Sequence, residues 1–296
     1  MRLRTLNMRH VKGENKLKFG TARLVLFSFF KRCLAFVSIG STRVSGFVPL
    51  PPPHRRRALH YSILSFLIFA LFLQSCTIDF NSHKIENWRK LRATGEAALA
   101  KHDYATAQKK FEEALKIVEP INHEPVRLAV SLEELSKVCL ETNDIALATR
   151  IFVQALTLAN KRSQTPAKQL NVLESELGEC LTNVGFIFAK AKKYDQAAIA
   201  FREARVLFAE VYKNSLPIAL NFSAASYLAL SIDGLGTSYK ELGHFKEAKQ
   251  AYFSLGDYNA SKGLSQEFKR KLLANFCLIP DTSKEDKDKY VQMLGL

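Results

Sequence analysis

From Trp88 onward, apolar residues recur at three- and four-residue spacing, with almost no alternating stretch between them. That period predicts amphipathic helices and no sheet. A second pattern lies on top of it. An alanine is followed four residues later by an aromatic, and three after that by a small or apolar residue. It reads Ala107, Phe111, Ala114, then Ala148, Phe152, Ala155, then Ala197, Phe201, Ala204, and more loosely Ala248, Tyr252, Leu255. Twelve residues before each leading alanine stands a small residue: Gly95, Ser136, Gly185 and Gly236. Turn-like segments fall between: His102-Asp103-Tyr104, Asn143-Asp144, Lys193-Tyr194 and Gly243-His244-Phe245. Two antiparallel helices joined by a short turn need small side chains where their backbones approach, and large rings then fill the hollows between pairs. One such pair cannot bury its apolar face alone, whereas a stack can.

Four copies in phase resemble the tetratricopeptide repeat (TPR) over about residues 88–262. The resemblance implies an all-α, TPR helical-hairpin solenoid of about four repeats plus a C-terminal capping helix. Successive leading alanines are 41, 49 and 51 residues apart, longer than the roughly 34 of the compact repeat. The extra length precedes the first helix of each later repeat, next to Pro125, Pro166 and Pro217. Proline is tolerated in a first turn, and Thr165 is placed to cap its own helix. These first helices are therefore expected to run long, about 24 residues for the third, which is similar to the kinesin-light-chain type of repeat. Residues 264–277 read as a closing helix, with Gln266, Glu267, Lys269, Arg270 and Lys271 solvating the end of the stack. The charged tail from Pro280 is expected to end in a short helix at about 284–293.

The N-terminal third has a different pattern. Arg55, Arg56 and Arg57 precede residues 58–73, which contain no Asp, Glu, Lys or Arg, and Leu73-Gln74-Ser75-Cys76 follows. An apolar run of 16 residues is short for a spanning helix, which needs roughly 20, and suits a signal peptide. The ending resembles a bacterial lipoprotein signal, which implies lipidation at Cys76 and removal of what precedes it. An uncleaved inner-membrane signal anchor is the alternative. The chain then divides into an unstructured or mis-called N-terminal extension (1–53), the signal peptide (54–75), a lipid-anchored tether (76–84), the TPR domain (85–262) and the capping helix with its charged tail (263–296). At roughly 3.5 Å per residue, the tether after Cys76 reaches at most about 28 Å, so the domain is expected to work close to the membrane. Thr77, not an aspartate, follows the cysteine. By resemblance to lipoprotein sorting in Gram-negative bacteria, this implies the outer membrane, facing the periplasm.

Charge changes the picture less than its total suggests. The formal net charge is +15, yet residues 1–57 hold 13 Lys+Arg against Glu14 alone, while residues 76–296 hold 30 Lys+Arg against 27 Asp+Glu. The mature region is thus near +3, and no nucleic-acid partner is expected without a basic patch of its own. Beyond Cys76, the cysteines Cys139, Cys180 and Cys277 lie in apolar helical contexts and read as buried hydrophobes, not as a bridge or metal site.

No catalytic constellation stands out. The mature region has no His-Glu-x-x-His, no phosphate-loop glycine pattern and no Gly-x-Ser-x-Gly, so no enzyme activity, cofactor or metal is expected. His83, His102, His123 and His244 fall in loops or tether. Glu112-Glu113 and Glu133-Glu134 read as solvated helix faces. In the TPR register the first helix of each pair lines a binding groove, which implies groove positions at Arg92, Glu96, Glu133, Glu134, Lys137, Thr182, Asn183, Phe186, Lys190, Asp233, Thr237 and Lys240. Asn183 leads this set. It lies in Leu181-Thr182-Asn183-Val184-Gly185, similar to a Leu-Asn-Asn-Leu-Ala stretch in kinesin-light-chain-type repeats, where an asparagine holds an extended peptide backbone through an amide that donates and accepts. Helix packing is the competing role for Asn183, and core packing for Phe186. The carboxylate clamp of chaperone-binding TPR domains is absent, since its asparagine position holds Glu96, Lys137, Phe186 and Thr237 in turn. Mixed charge in the groove singles out no ligand class.

The resulting expectation is a non-enzymatic scaffold or assembly factor at the bacterial envelope that binds a peptide or protein in its groove and the membrane through Cys76. A peptide-sensing regulatory receptor and a pilotin-like factor of a pilus or secretion system are the alternatives.

Overall fold

The computed structural model describes residues 82–121, 124–214, 218–258 and 260–296. The extension, the signal, Cys76, most of the tether, His123 and Pro217 lie outside these residues. Ten α-helices are described, and no strand occurs among the described residues. They are α1 (82–99), α2 (Tyr104–Val118), α3 (Pro125–Thr142), α4 (Ile145–Asn160), α5 (Ala167–Lys190), α6 (Tyr194–Asn214), α7 (Ile218–Glu241), α8 (Phe245–Asp257), α9 (Gln266–Cys277) and α10 (Lys284–Leu294). Helix α1 begins three residues inside the stretch expected to be tether, and His83 is helical.

The helices pair as α1/α2, α3/α4, α5/α6 and α7/α8, and the small-residue register explains why. A Cβ placed on Gly95 would lie 2.5 Å from the Phe111 ring, and one on Gly185 would lie 2.8 Å from the Phe201 ring. At Gly236 a Cβ would collide with the Tyr252 ring. In three repeats, then, the aromatic of the second helix rests on the glycine of the first. Phe201 also meets Gly234 of the next repeat, where a Cβ would stand 2.5 Å from the ring. That contact joins one hairpin to the next, as stacking requires. The leading alanines Ala107, Ala148, Ala197 and Ala248 are all fully buried.

The turns share a register as well. His102 (φ 58°), Asn143 (φ 55°), Lys192 (φ 58°) and Gly243 (φ 78°) each adopt the left-handed conformation, five residues before the leading alanine. Around His102, Lys192 and Gly243 the backbone closes a Schellman motif. Asp103 N–H donates to Ala98 O and His102 N–H to Leu99 O. Lys193 N–H and Lys192 N–H do the same to Phe188 O and Ala189 O, and His244 N–H and Gly243 N–H to Tyr239 O and Lys240 O. Asp103 and Asp144 then cap the following helix, accepting from Thr106 N–H at 3.1 Å and Leu147 N–H at 3.0 Å.

The first helices lengthen along the chain, with 18 residues in α3 and 24 each in α5 and α7. Pro125 occupies the first turn of α3. Thr165 does not cap α5. Pro166 holds the N-cap position and no side chain bonds the first turn, because a residue before proline is driven to extended backbone, here φ −83°, ψ 137° at Thr165.

The C-terminus departs furthest from expectation. Gln266, Glu267, Arg270 and Lys271 are exposed, but Lys269 is buried. A Cβ on Gly295 would stand 3.8 Å from the Lys269 ammonium, so the cation sits by the last turn of α10, where a helix dipole favours it. Helix α10 is part of the core. Tyr290 and Leu294 are buried, and the Tyr290 ring stacks on Phe276 at 4.3 Å. Cys139 and Cys180 are buried, but Cys277 is exposed, and all three are free thiols.

Candidate functional site

The first helices of repeats one to three present one continuous set of charged side chains. Trp88 fixes its outer edge. Its indole Nε1–H donates to Ser131 Oγ at 2.9 Å, locking α1 to α3, and the guanidinium carbons of Arg92 and Arg127 lie 4.8 and 5.4 Å from its ring centroid. Arg92 is thereby held where its Nε–H donates to Glu134 Oε1 at 2.7 Å while Nη2 donates to Glu96 at 3.1 Å. One turn beyond Glu133, Lys137 pairs with that residue at 2.7 Å. Glu176 and Glu179 of α5 complete the walls of an open cleft of about 620 Å³.

Its electrostatics follow from burial. Glu133 and Glu134 are only 3 % and 4 % exposed, which corrects their reading as solvated positions. Loss of water pushes each carboxyl up to about 7, against the opposing pull of Lys137 and Arg92. Glu176 is raised too, by burial and then by Glu179. Glu134 Oε2 is buried and has no hydrogen-bond partner. Five carboxylates (Glu96, Glu133, Glu134, Glu176, Glu179) face two cations (Arg92, Lys137) in this cleft.

The other sequence-derived positions separate into three groups. Asn183 Nδ2 donates to Ser136 Oγ at 2.9 Å, which commits half its amide to joining α5 to α3. Phe186 is half-buried and meets Phe201 edge-to-face at 5.0 Å. Lys190 is exposed near the end of α5. Thr182 is fully buried and donates to Gly178 O at 2.8 Å, so it lines no groove. In the last repeat, Asp233 accepts from Tyr252 OH at 2.8 Å and from Asn275 Nδ2 at 2.9 Å. Thr237 lies 3.3 Å from the same Tyr252 hydroxyl. The capping helix thus occupies Asp233. The acids missed from sequence, Glu176 and Glu179, stand seven and four residues before Asn183, on the helical face it marks. That spacing was the available signal.

Among the described residues no cluster of His, Cys, Asp and Glu is arranged to hold a metal ion, and no helix is long and apolar enough to cross a membrane.

No family model matches the chain, and no curated protein matches it. Among solved structures, BtubC (BKLC) from P. vanneervenii is similar at 14 % identity, with a TM-score of 0.45 over 74 % of this chain and 85 % of that one. A tetratricopeptide repeat protein from Parabacteroides merdae is similar at 14 % identity, with a TM-score of 0.19 over 71 % of this chain and all of that one. The helical-hairpin repeat of this chain rests on its own packing register, glycine under aromatic and left-handed residue at each turn.

Proposed function

We propose that this chain is a non-enzymatic interaction scaffold or assembly factor, anchored through a lipidated Cys76 to the periplasmic face of the bacterial outer membrane. Its first-helix face holds a peptide or protein partner. The observation that carries the reading is the open cleft on α1, α3 and α5, where Glu96 and Lys137 are exposed and Arg92, Glu176 and Glu179 half-buried above the buried pair Glu133 and Glu134. A surface meant only for packing would cover such a face, whereas hydrogen-bonding groups held on rigid helices suit recognition. Fold does not fix function, so the partner must be captured directly.

A photo-crosslinking residue at Glu179 in cells should yield a discrete protein adduct. The same probe at Val153, which is 58 % exposed on the second helix α4, should not. Intact mass of the membrane-extracted protein should show a chain beginning at acylated Cys76, and Cys76→Ala should retain the upstream segment. An intact N-terminus upstream of residue 58, or equal labelling from both probe positions, would sink the reading.

A further inference from the structure

We propose that the cleft between α1, α3 and α5 is a receptor for a cationic side chain, a lysine or arginine presented by the partner polypeptide. The inference rests on the groove reading above and names the chemistry the groove selects. Three observations carry it.

The first is a local charge imbalance on a basic background. Residues 76–296 are net positive, with 30 Lys+Arg against 27 Asp+Glu, yet the cleft sets five carboxylates against two cations. The acidity is therefore a property of this face, and low-dielectric walls focus such a field.

The second is the unused acceptor. Glu134, a residue of the cleft wall, is almost fully buried, Arg92 engages its Oε1, and its buried Oε2 has no hydrogen-bond partner. Glu96 shares a proton with Glu134 only while one of the two carboxyls is protonated, and an entering cation takes the place of that proton. A buried carboxylate oxygen left without a donor is costly, and a nitrogen cation bearing several N–H groups supplies what is missing. Arg92 shows the mode within the chain, with its guanidinium over Trp88 and between Glu96 and Glu134.

The third is size and donor geometry. A volume of about 620 Å³ lies within the roughly 300–1,000 Å³ of side-chain and small-ligand sites. No group of carboxylates among the described residues is arranged for a metal ion, so an organic cation fits better than a divalent ion. The charged and titratable groups facing the site are Arg92 and Glu96 from α1, Glu133, Glu134 and Lys137 from α3, and Glu176 and Glu179 from α5, with Tyr227 of α7 behind them, its hydroxyl held protonated by burial and then by the charge of Glu179. Because Glu133 and Glu134 titrate near 7, an entering cation pulls protons off them, and acid weakens its binding.

The test uses the full chain extracted from membranes in detergent. The probes are fluorescein-labelled Gly-Arg-Lys-Arg-Gly amide and its Gly-Gln-Gln-Gln-Gly counterpart, followed by anisotropy. The basic peptide is expected to bind at least about tenfold tighter than the neutral one, and to weaken at least about threefold from pH 7.5 to 5.5. Glu176→Gln with Glu179→Gln, on half-buried positions of the wall, should remove most of that preference without lowering the melting temperature. Equal affinity for both peptides, or a preference that survives the double substitution in a folded protein, overturns the proposal. If crosslinking from Glu179 still captures a protein in that event, the groove reading stands and the cationic specificity alone is wrong. If neither peptide nor protein is captured, both fall.

Discussion

Lys192 holds a backbone conformation that costs an L-residue roughly 1–2 kcal/mol. Its φ of 58° matches that of His102, and the fourth repeat places Gly243 there instead. The turn needs this conformation because its two N–H groups must reach back to Phe188 O and Ala189 O. Lys192→Gly relieves the steric cost and adds some unfolded-chain entropy. It should stabilise the fold by about 0.5–1 kcal/mol, seen as a higher urea midpoint at unchanged slope. Gly185 presents the opposite case. Its missing side chain is where the Phe201 ring lies, 2.8 Å from an ideal Cβ, and Phe201 is hemmed on its other side by Gly234. The ring has no free direction to move, so Gly185→Ala should destabilise by about 1–3 kcal/mol in the same denaturation experiment. Gly185 and its three counterparts were legible in the sequence, because a steric requirement repeated at fixed spacing leaves a trace in residue identity. The left-handed positions were not legible, since only one of the four is glycine and a lysine or histidine carries no such mark.

At the scale of elements, the capping pair α9/α10 turns on two tyrosines with similar burial and different partners. Tyr252 OH donates to Asp233 Oδ1 at 2.8 Å, and Asn275 of α9 donates to the same carboxylate. Tyr290 is as deeply buried, yet its hydroxyl has no hydrogen-bond partner. Tyr252→Phe should cost about 1–3 kcal/mol, because it removes a donor from a buried carboxylate. Tyr290→Phe should be neutral or slightly stabilising, because it removes only an unsatisfied group while keeping the stacked ring on Phe276. Thermal melts of the two variants side by side would test this, and equal losses would contradict the assignment. Helix α10 is held further by a capping box between Ser283 and Asp286 and by the 3.2 Å ion pair of Asp286 with Lys249 of α8. From the sequence, the closing helix and the short tail helix were expected almost at their observed bounds. The role of the tail was hidden. Its charged residues dominate the composition, while the core contact is carried by Tyr290, Leu294 and the partly buried Met293, and one i, i+3, i+4 set is too short to mark a core-facing helix.

For the molecule as a whole, the acidic cleft makes stability depend on pH in an unusual direction. Carboxylates in folded proteins more often have lowered values, as Asp103, Glu113 and Asp286 do here through hydrogen bonds from Thr106, Lys110 and Lys249. Those groups favour the folded state above about pH 4 and lose that contribution below it. Glu133 and Glu134 act the other way. Burial raises each to about 7, while in the unfolded chain a glutamate titrates near 4.3. Between those values the folded state binds more protons than the unfolded state. The derivative of unfolding free energy with pH is then negative. Their stabilisation is complete below about pH 4.3 and is lost as pH rises through about 7. The melting temperature should therefore rise as pH is lowered from 8 to about 5.5, and then fall again in strong acid as the three lowered carboxylates protonate. Glu133→Gln with Glu134→Gln should flatten the slope between pH 5.5 and 8, since a neutral amide has no proton to lose there. A melting temperature that instead falls steadily from pH 8 to 5.5 would show that both carboxyls titrate low, as solvated groups do. This part of the site could not be read from the sequence. Two adjacent glutamates on a helix ordinarily face water, and only the docking of α1 and α5 against α3 takes that water away. The burial that raises these two carboxyls is thus what makes the fold most stable in mild acid.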